Sequence, residues 1–321
     1  MRPVVVIGSF NVDHVWRSET LPRPGETLSG LYAGGPGGKG FNQAVAAARA
    51  GAATAFVCAL GDDVGGQRAR ALATADGIDL RDECSAAPTG AAGIFVDANG
   101  RNSIVVGPGA NATLSIPFID AQSDLLRSAH VALVQLESPA ETVAAALRHA
   151  RAGGAIAMLN PAPANVALPI DILALADILT PNETECAALF ARHLGERIEG
   201  EAIAELDSPK LHALCRELLP GGTVVVTLGA AGCFVSHADA MTRGDDNVWY
   251  RLAAEPAQAV DTTGAGDAFN GALAAALATA AHGHFAACAR FANRYAAHST
   301  ERHGAALSMP TLQELDIRFP G

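Results

Sequence analysis

Short runs of branched apolar residues alternate along the chain with longer segments rich in Ala, Leu and Arg. The apolar runs lie at residues 4–8, 55–59, 131–135, 156–159, 177–179 and 223–227, and the helix-like segments at 42–50, 65–75, 119–127, 140–151, 183–191 and 209–219. Apolarity within the runs is continuous rather than alternating, which is typical of strands buried on both faces. This order predicts an α/β fold, a three-layer α/β/α sandwich around a mainly parallel central sheet.

Two segments interrupt this alternation. Residues 11–33 mix polar and apolar positions, and residues 92–106 contain Asn-Gly between two strand-like runs, which is a strong hairpin signal. Both are predicted to leave the main layer and to form a small sheet over one end of a single domain, residues 1–321. Residues 265–280 and 285–300 have little polar face and predict two buried helices. The charged stretch 193–206 is predicted to be a solvated surface insertion.

Charge and cysteine usage narrow the class of protein. The 321 residues include 22 Lys and Arg against 33 Asp and Glu, so the formal net charge is −11 at pH 7. This balance argues against sequence-independent binding of nucleic acid, which needs a basic face. The six cysteines are scattered without a C-x-x-C pair, and no apolar run is long enough to span a membrane. We therefore expect reduced thiols, no zinc site, no membrane segment and a cytoplasmic location.

A glycine-rich stretch, "GPGGKGFNQ" at residues 35–43, raises two familiar possibilities. It matches G-x-G-x-x-G of dinucleotide-binding loops and contains the Gly-Lys of nucleotide phosphate loops. The residues before it read as an edge ribbon rather than a first buried strand, which disfavours a dinucleotide site. A phosphate loop would need Gly in place of Ala33 and Ser or Thr in place of Gly40. We interpret the glycines as close backbone approach to a small polar ligand, the alternative being a tight turn that only needs positive φ.

A second glycine turn lies near the other end of the chain, in "DTTGAGDAFNGAL". Gly264, Ala265 and Gly266 precede a long apolar helix, and Asp267 falls in its first turn. Amides at a helix start that no side chain obstructs bind anions. Asp267 can simply complement the helix dipole. The combination also suits phosphoryl transfer, because amides can hold the phosphoryl group while the carboxylate accepts the proton of an attacking hydroxyl.

Together these stretches resemble the two signatures of the ribokinase-like (PfkB) family of carbohydrate kinases. The strings "GSFNVDH", "PRPGET", "GDDVGG", "VQLESP", "LNPAPA", "LTPNETE", "TLGAAG" and "RHGAALSMP" also follow the order of that family, over most of the chain. The resemblance implies transfer of the γ-phosphate of ATP to the primary hydroxyl of a pentose, first of all ribose, to give the 5-phosphate. It also implies that the small sheet is a lid over the sugar that pairs between the subunits of a homodimer.

Sugar-side and catalytic roles follow from the resemblance. Asp267 matches the catalytic base, and the amides of residues 264–267 match the anion hole. The sugar-binding positions match Asn11, Asp13, Gly38, Lys39, Asn42, Glu137 and Asp267. The i, i+2 spacing of Asn11 and Asp13 independently puts both side chains on one face of a strand. Glu137 follows a buried run at the end of a strand, which favours a pocket over a surface loop.

The resemblance also implies a nucleotide side with Mg²⁺ and K⁺. The nucleotide-side positions match Asn182, Glu185, Thr227, Gly229, Gly232, Gly266 and Asn293. Asn182 and Glu185 would organise magnesium and phosphates through water, although Asn-x-x-Glu at a helix start is also a capping box. Asn293 would neighbour adenine or serve as a satisfied core amide. The potassium ligands, mostly backbone carbonyls, match Asp261, Thr263, Ser299, Arg302, Gly304 and Ser308.

Phe41 departs from the family, which usually has a small residue at this position. Its ring could pack under the lid, or could narrow or extend the sugar pocket. The alternatives to a ribose kinase are therefore a kinase for deoxyribose, another sugar or a nucleoside whose base stacks on Phe41. A catalytically inactive sugar-binding regulator is disfavoured by the intact Asp267 turn. An NAD-linked oxidoreductase is disfavoured by the mismatched glycine loop.

Overall fold

The strands of the protein form two separate sheets, and the helices cover the larger one on both faces. The computed structural model describes residues 2–279 and 283–320. The strands are β1 (Val4–Ile7), β2 (Asn11–Arg17), β3 (Leu31–Gly37), β4 (Thr54–Gly61), β5 (Asp79–Ser85), β6 (Gly90–Val96), β7 (Asn102–Gly107), β8 (Val131–Val134), β9 (Ile156–Leu159), β10 (Ile178–Leu179), β11 (Thr223–Thr227), β12 (Cys233–His237) and β13 (Trp249–Leu252). The helices are α1 (Lys39–Arg49), α2 (Val64–Ala75), α3 (Ile116–Ala121), α4 (Ser123–Ser128), α5 (Ala140–Ala152), α6 (Ile170–Leu173), α7 (Glu183–His193), α8 (Gly200–Ile203), α9 (Ser208–Leu218), α10 (Ala265–Thr279), α11 (Phe285–Ser299) and α12 (Leu312–Arg318).

The central sheet has nine strands in the order β13-β12-β11-β10-β9-β8-β1-β4-β5. Neighbouring strands from β5 to β11 run parallel, whereas β12 is antiparallel to both of its neighbours. Val5 and Ile7 of β1 pack into one core with α5, and Val4 and Val6 pack into a second core with α1 and α10. Because the strand is buried on both faces, its side chains need not alternate in polarity. The prediction of a three-layer α/β/α sandwich is confirmed.

Several predicted boundaries differ from the structure. Helix α1 begins at Lys39 rather than residue 42, and the predicted helix 119–127 is two short helices that meet at Gln122. Residue 280, the predicted end of the helix that starts at 265, lies outside the described residues. Among residues 2–279 and 283–320, no helix combines the length and apolarity needed to cross a bilayer.

The charged stretch 193–206 lies at the surface, as the sequence predicts, but it is anchored to the core. It contains the short helix α8, and Ile203 in that helix is fully buried in the core. Arg251 of β13 donates hydrogen bonds to the carbonyl oxygens of Ala204 and Leu206 at 3.0 and 2.7 Å. The segment is therefore fixed against the sheet, although most of its charged side chains face outward.

The second sheet has four strands in the order β3-β2-β6-β7. It comes from the two segments that were predicted to leave the main layer, with β3 continuing to Gly37 and β7 to Gly107. The predicted Asn-Gly hairpin joins β6 to β7, and Gly100 has the positive φ of 77° that this turn requires. In the register of β2 and β3, Asn11 pairs with Gly37. The end of β3, where it pairs with the start of β2, therefore lies directly before α1.

Helices α1 and α10 cross at very short distance because Gly271 has no side chain. A Cβ atom at Gly271 would lie 2.4 Å from the carbonyl oxygen of Gln43 and 2.5 Å from the Cβ atom of Ala46. Both distances are shorter than van der Waals contact, and the nearest atoms belong to the backbone of α1. The glycine therefore sets the separation of two helices that come from opposite ends of the chain.

We expect Gly271→Ala to lower the free energy of unfolding by about 1–3 kcal/mol, because the added methyl group must push α1 and α10 apart. Chemical denaturation of purified variants measures this. Gly221→Ala is the matched control, since no atom lies within 4 Å of its Cβ position. Equal stability of the two variants would contradict the role of Gly271.

Candidate active site

The glycine-rich stretch fits the start of α1 against the turn between β1 and β2. A Cβ atom at Gly37 would lie 2.1 Å from Oδ2 of Asp13, and one at Gly40 would lie 2.5 Å from the amide nitrogen of Ser9. Gly38 has a φ of 88°. The sequence interpretation assigned the close approach to a ligand, but the crowding atoms belong to the protein itself. The glycines thus assemble one wall of a polar pocket, and one of them also supplies a turn with positive φ.

Polar side chains gather at this wall. Oε2 of Glu137 accepts hydrogen bonds from Oγ of Ser9 at 2.5 Å and from the amide of Lys39 at 3.0 Å, so Glu137 is not a loose surface acid. Oδ1 of Asn11 accepts a hydrogen bond from Nδ2 of Asn111 at 2.8 Å. These contacts fix a cluster of polar side chains beside the start of α1, and the predicted binding of a sugar by this cluster stays a prediction.

The protonation of Asp13 responds to the same cluster. Burial, followed by the negative charges of Glu137 and Asp267, raises the pKa of Asp13 to about 6. Asp13 follows Asn11 by two residues in β2, and both are therefore on one face of the strand, as the sequence predicts. An acid with a pKa near 6 changes its charge close to neutral pH.

Asp267 lies in the first turn of α10 and is 7 % exposed. Its Oδ2 accepts a hydrogen bond from Nδ2 of Asn42, and its Oδ1 accepts one from Nε2 of Gln43, both at 2.9 Å. Burial raises the pKa of Asp267, and the charge of Lys39 and the two amide hydrogen bonds partly oppose this rise. A buried carboxylate held by two amides does more than cap a helix, since it can accept a proton in a fixed position.

Lys39 is the cation next to these acids. Burial opposes its charge, but the carboxylates of Asp267, Glu137 and Glu185 outweigh burial and raise the pKa of Lys39 above its ordinary value. Lys39 therefore remains protonated and offsets part of the negative charge of the pocket. Its own position at the start of α1 is fixed through the hydrogen bond from its amide to Glu137.

A cleft of about 150 Å³ opens beside Asp267. Lys39, Asn182, Glu185, Thr227 and residues 264–267 line it. The structure thus brings together most of the residues that were predicted for phosphate and nucleotide. A cleft with amides, a lysine and few apolar groups has the chemistry of an anion site.

Asn182 and Glu185 form the capping box at the start of α7. Oδ1 of Asn182 accepts a hydrogen bond from the amide of Glu185 at 2.8 Å, and Oε2 of Glu185 accepts one from the amide of Asn182 at 2.9 Å. Asn182 also pairs with Thr227, which ties the two predicted nucleotide motifs together. The capping interpretation is confirmed. Both side chains nevertheless line the cleft, so a role towards a metal ion remains a prediction.

The glycine turn before α10 leaves selected amides for a ligand. The amide of Ala265 donates to the carbonyl of Thr262 at 3.2 Å, so part of the predicted anion hole has a partner within the turn. The amides of Gly266 and Asp267 belong to the first turn of the helix, where no preceding helical carbonyl is available. Gly264 has a φ of 78° and lies against Ala305. Both glycines line the cleft, but only Gly264 is required by the backbone turn, since no atom lies within 4 Å of the Cβ position of Gly266.

The predicted potassium residues come from two segments that the structure joins. Oδ1 of Asp261 accepts the amide of Thr263 at 2.9 Å, and Oδ2 accepts the amide of Gly304 at 3.1 Å. The guanidinium of Arg302 forms an ion pair with Glu314 at 2.9 Å, so only its backbone is free to face a cation. Within residues 2–279 and 283–320, no group of three or more His, Cys, Asp and Glu side chains is placed to hold a metal ion.

The remaining members of the predicted set have ordinary structural contacts. The hydroxyls of Ser299 and Ser308 each donate to a backbone carbonyl at 2.8 Å. Gly229 and Gly232 both have positive φ in the turn after β11. Nδ2 of Asn293 donates to the carbonyl of Ala253 at 3.4 Å and to a cysteine sulfur, which are contacts of a core amide. A role of Asn293 at adenine stays a prediction.

Comparison with known proteins shows to which family this chain belongs. The family model described as pfkB family carbohydrate kinase matches residues 1–312. The chain belongs to the PfkB family of carbohydrate kinases. It is 38% identical to a ribokinase of Haemophilus influenzae, with 98% of this chain and 97% of the relative covered. It is 32% identical to a deoxyribokinase of Salmonella typhi over 98% of this chain and 97% of the relative. A ribokinase of Arabidopsis thaliana, solved with ribose and ATP, has a TM-score of 0.82, 31% identity and 98% coverage of both chains.

Several polar residues of this PfkB kinase escaped the sequence analysis. Gln43, Asn111, Asn160 and Asn270 are buried. Gln43, Asn111 and Asn270 each bond to a predicted site residue or to its backbone, and Asn160 is connected to Asp267 through Gln43. Gln43 directly follows Asn42 within the N-terminal signature, which is the signal that could have found it. Asn160 and Asn270 likewise lie within the quoted strings "LNPAPA" and "DTTGAGDAFNGAL", whereas Asn111 lies in none of them and its partners Phe10 and Asn11 are about 100 positions away.

Phe41 is part of the hydrophobic core. Its ring is fully buried, meets Phe10 edge-on at 5.0 Å between centroids and packs against Phe56 at 5.9 Å. A fully buried ring offers no face for a nucleobase, so the nucleoside alternative loses the observation that motivated it. The larger side chain is accommodated because two other aromatic rings pack around it.

We expect Gly264→Ala and Gly266→Ala to separate folding from function. No atom lies within 4 Å of the Cβ position of Gly266, whereas that of Gly264 lies 2.9 Å from Cβ of Ala305 and has positive φ. Gly266→Ala should therefore keep the melting temperature but weaken binding of the nucleotide, since the methyl group enters the cleft. Gly264→Ala should cost about 1 kcal/mol or more of stability from backbone strain.

Thermal melts and nucleotide titrations of both variants test this pair. A Gly266→Ala protein with wild-type nucleotide affinity would show that the anion site lies elsewhere. A Gly264→Ala protein with unchanged stability would show that the positive φ is not required.

Proposed function

We propose that this protein is an ATP-dependent ribokinase that transfers the γ-phosphoryl group to the primary hydroxyl of D-ribose. The observation that carries this is the position of Asp267. Asp267 lines the same cleft as Lys39, and its carboxylate is close enough to Asp13 and Glu137 of the polar wall to interact with their charges. A general base at the junction of a hydroxyl-binding pocket and an anion site is what phosphoryl transfer to an alcohol needs.

On the sugar side, Asn11, Asp13, Asn42 and Glu137 bind the hydroxyl groups, with Gly38 shaping the backbone beside them. Nδ2 of Asn42 donates to Asp267, which holds the Asn42 side chain beside the base, and its buried Oδ1 has no hydrogen-bond partner among residues 2–279 and 283–320. Asp267 accepts the proton of the attacking hydroxyl as the oxygen bonds to phosphorus. The relatives named as ribokinases, and the complex solved with ribose and ATP, support ribose as the substrate.

On the phosphate side, the amides of Gly266 and Asp267 stabilise the charge that develops on the transferring group. Lys39 adds a positive charge at the same cleft. The loop from Thr227 to Gly232 and the side chain of Asn293 bind the nucleotide. Because the amides are held by the helix, they need no rearrangement as charge develops.

The oxygen ligands that Mg²⁺ and K⁺ prefer are present at the predicted positions. Glu185 lines the cleft, and its Oε1 remains for a metal-bound water because Oε2 already accepts the amide of Asn182. Mg²⁺, when bound, neutralises charge on the phosphate oxygens. For K⁺, the carbonyls of residues 261, 263, 299, 302, 304 and 308 are suitable hard ligands. Asp261 holds its own segment and that of Gly304 together and contributes negative charge nearby.

The four-stranded sheet acts as a lid that pairs with the same sheet of a second subunit. Leu31, Ile104 and Val105 are each more than half exposed on it, at 77%, 52% and 70%. Exposed apolar residues on a small open sheet are a surface that association would bury. Sedimentation velocity would contradict the homodimer if it showed a monomer at assay concentration.

The six cysteines are unpaired, which is consistent with a cytoplasmic location.

A deoxyribokinase is the second candidate. The observation that favours it is the deoxyribokinase relative, whose identity over nearly the whole chain is only slightly below that of the ribokinases. Both sugars present the same primary hydroxyl to Asp267. The two functions differ at one sugar hydroxyl, so the test must compare the two sugars directly.

We expect Asp267→Asn to lower sugar-dependent turnover by about 10²- to 10⁴-fold, the usual contribution of a general base. Binding of ribose and ATP should persist, because Asn keeps the size of the side chain. ADP release is measured with ribose, deoxyribose, fructose and nucleosides, in K⁺ and in Na⁺ buffers. Asp207→Asn is the matched control, since Asn caps α9 as well as the Asp at its start.

Each outcome of that screen selects a function. Turnover that prefers ribose supports ribokinase, and preference for deoxyribose supports the second candidate. Wild-type activity in Asp267→Asn would remove the proposed base. Sugar binding without turnover in the wild type would point to the inactive regulator instead.

We expect ribose to bind more weakly as pH falls through about 6, because protonation of Asp13 removes a carboxylate acceptor. The folded-state pKa of Asp13 is raised, so its protonation at low pH relieves a cost of folding and is not itself a cause of unfolding. Calorimetric titration without nucleotide measures the dissociation constant. Asp13→Asn should remove this step, and an unchanged pH dependence in that variant would assign it to another group.

A further inference from the structure

A relay of buried amide side chains runs from Asp267 across the carboxyl ends of three neighbouring strands. Nε2 of Gln43 donates to Oδ1 of Asp267 at 2.9 Å and to Oδ1 of Asn160 at 3.0 Å. Oε1 of Gln43 accepts from Nε2 of Gln135 at 2.5 Å. Nδ2 of Asn160 donates to the carbonyl of Thr180 at 2.9 Å. Since Gln135, Asn160 and Thr180 directly follow β8, β9 and β10, the relay ties the first turn of α10 to the central sheet.

The carbonyl of Thr180 fixes the direction of the hydrogen bonds in this relay. A carbonyl can only accept, so Nδ2 of Asn160 must face Thr180 and Oδ1 of Asn160 must face Gln43. Gln43 must then turn its Nε2 towards Asn160 and Asp267, which leaves its oxygen for Gln135. Gln43 therefore presents an N–H group to Asp267 and favours the ionised carboxylate, which is the form that can accept a proton.

A second pair of hydrogen bonds holds the same turn of α10, at the carbonyl oxygen of Gly266 rather than at the carboxylate of Asp267. Oγ1 of Thr180 donates to Oδ1 of Asn270 at 2.5 Å, and Nδ2 of Asn270 donates to the carbonyl of Gly266 at 2.8 Å. The strand end at Thr180 thus reaches both the carboxylate of Asp267 and the backbone of Gly266. The base and the amides of the anion site are held relative to one rigid element.

Gln43 differs from the other partner of the base. Gln43 is fully buried and bonds to Asn160 and Gln135 as well as to Asp267, whereas Asn42 bonds to Asp267 through Nδ2 and its Oδ1 has no partner in the described part of the chain. Space for the relay is itself built into the fold, because a Cβ atom at Gly8 would lie 2.1 Å from Oε1 of Gln135. A core amide that only stabilises the fold would not need to reach the carboxylate.

We propose that Gln43 is a positioning residue of the kinase reaction. Its N–H group holds Oδ1 of Asp267, which fixes the plane of the carboxylate and aims it at the sugar hydroxyl that attacks the phosphoryl group. This inference rests on the proposed function, since it gives Gln43 a task at the base of that reaction. Substrate binding does not require it, so its loss should affect turnover rather than affinity.

The charged groups around Asp267 define what its titration should do. Lys39 of α1 lowers the pKa of Asp267, and Glu137 after β8 raises it. Asp13 of β2 and Glu185 of α7 also interact with Asp267 as like charges. Removal of the Gln43 donor leaves all of these in place, so the pKa of Asp267 should rise and the acid limb of the kcat profile should move to higher pH.

Gln43→Met tests this, because it keeps the length of the side chain and removes its polar atoms. We expect kcat to fall by about 10- to 100-fold, as for a lost hydrogen bond to a charged group. KM for ribose and for ATP should stay unchanged, and the acid limb should shift upward. Gln135→Met is the matched variant. It removes the neighbouring bond of the relay but leaves the Gln43–Asp267 bond, so its acid limb should stay in the wild-type position.

The outcomes separate this inference from the proposed function. A wild type without sugar-dependent turnover overturns the proposed function, and the role of Gln43 with it. If the wild type is active, two results overturn the role of Gln43 alone. One is a Gln43→Met variant with the kcat and the acid limb of the wild type. The other is a Gln135→Met variant whose acid limb shifts as much as that of Gln43→Met. If Gln43→Met does not fold, Gln43→Glu replaces the N–H group by oxygen and should lower kcat and shift the limb further. Wild-type behaviour of Gln43→Glu would likewise overturn it.

Discussion

The short crossing of α1 and α10 is the constraint on which the rest of the site depends. Gly271 allows the backbone of α1 to come within reach of α10, one turn after Asp267. Only at that separation can Asn42 and Gln43 of α1 bond to the two oxygens of Asp267. The partners are separated by more than 200 positions along the chain, so the geometry of the base is a property of the tertiary fold. The first turns of both helices thus meet at the carboxylate of Asp267, the proposed base.

Carboxylates dominate the region around Asp267, and their negative charge determines which ligands can bind there. Asp13, Glu137, Glu185 and Asp267 interact with one another, and the pKa values of Asp13 and Asp267 are raised mainly by burial. Lys39 offsets part of this charge. The pocket is therefore suited to a neutral sugar that donates hydroxyl hydrogens. In the proposed function, the phosphates would face amides and Lys39 instead, and a metal ion would supply the remaining positive charge.

The sequence predicts the central layer well because its strands carry their own signal. β1, β4 and β8 are continuous apolar runs, whereas β5 mixes exposed and half-buried positions and was not recognised. The anchoring of the segment around Ile203 to the core was not predicted, because its charged neighbours conceal a single core residue. Of the site, Asp267 and Asn42 were accessible through their motifs. Gln43 and Asn160 also lie in quoted motifs, but the contacts of Gln43 with Asn160 and its other partners could not be predicted, because these partners are more than 90 positions away along the chain. Asn111 lies in no motif.

The chain divides the reaction between its two halves, and this explains why the helix crossing matters for function. The polar wall comes from the end of β1, from β2 and from the turn at Gly38. This turn leads from the four-stranded sheet directly into α1. The phosphate cleft comes mainly from the segments after β10, β11 and before α10. Asp267 belongs to the second half but is held by amides of the first. A shift of β3 that reaches α1 would therefore also reach Asp267, so the proposed sugar site and the proposed base are coupled through α1.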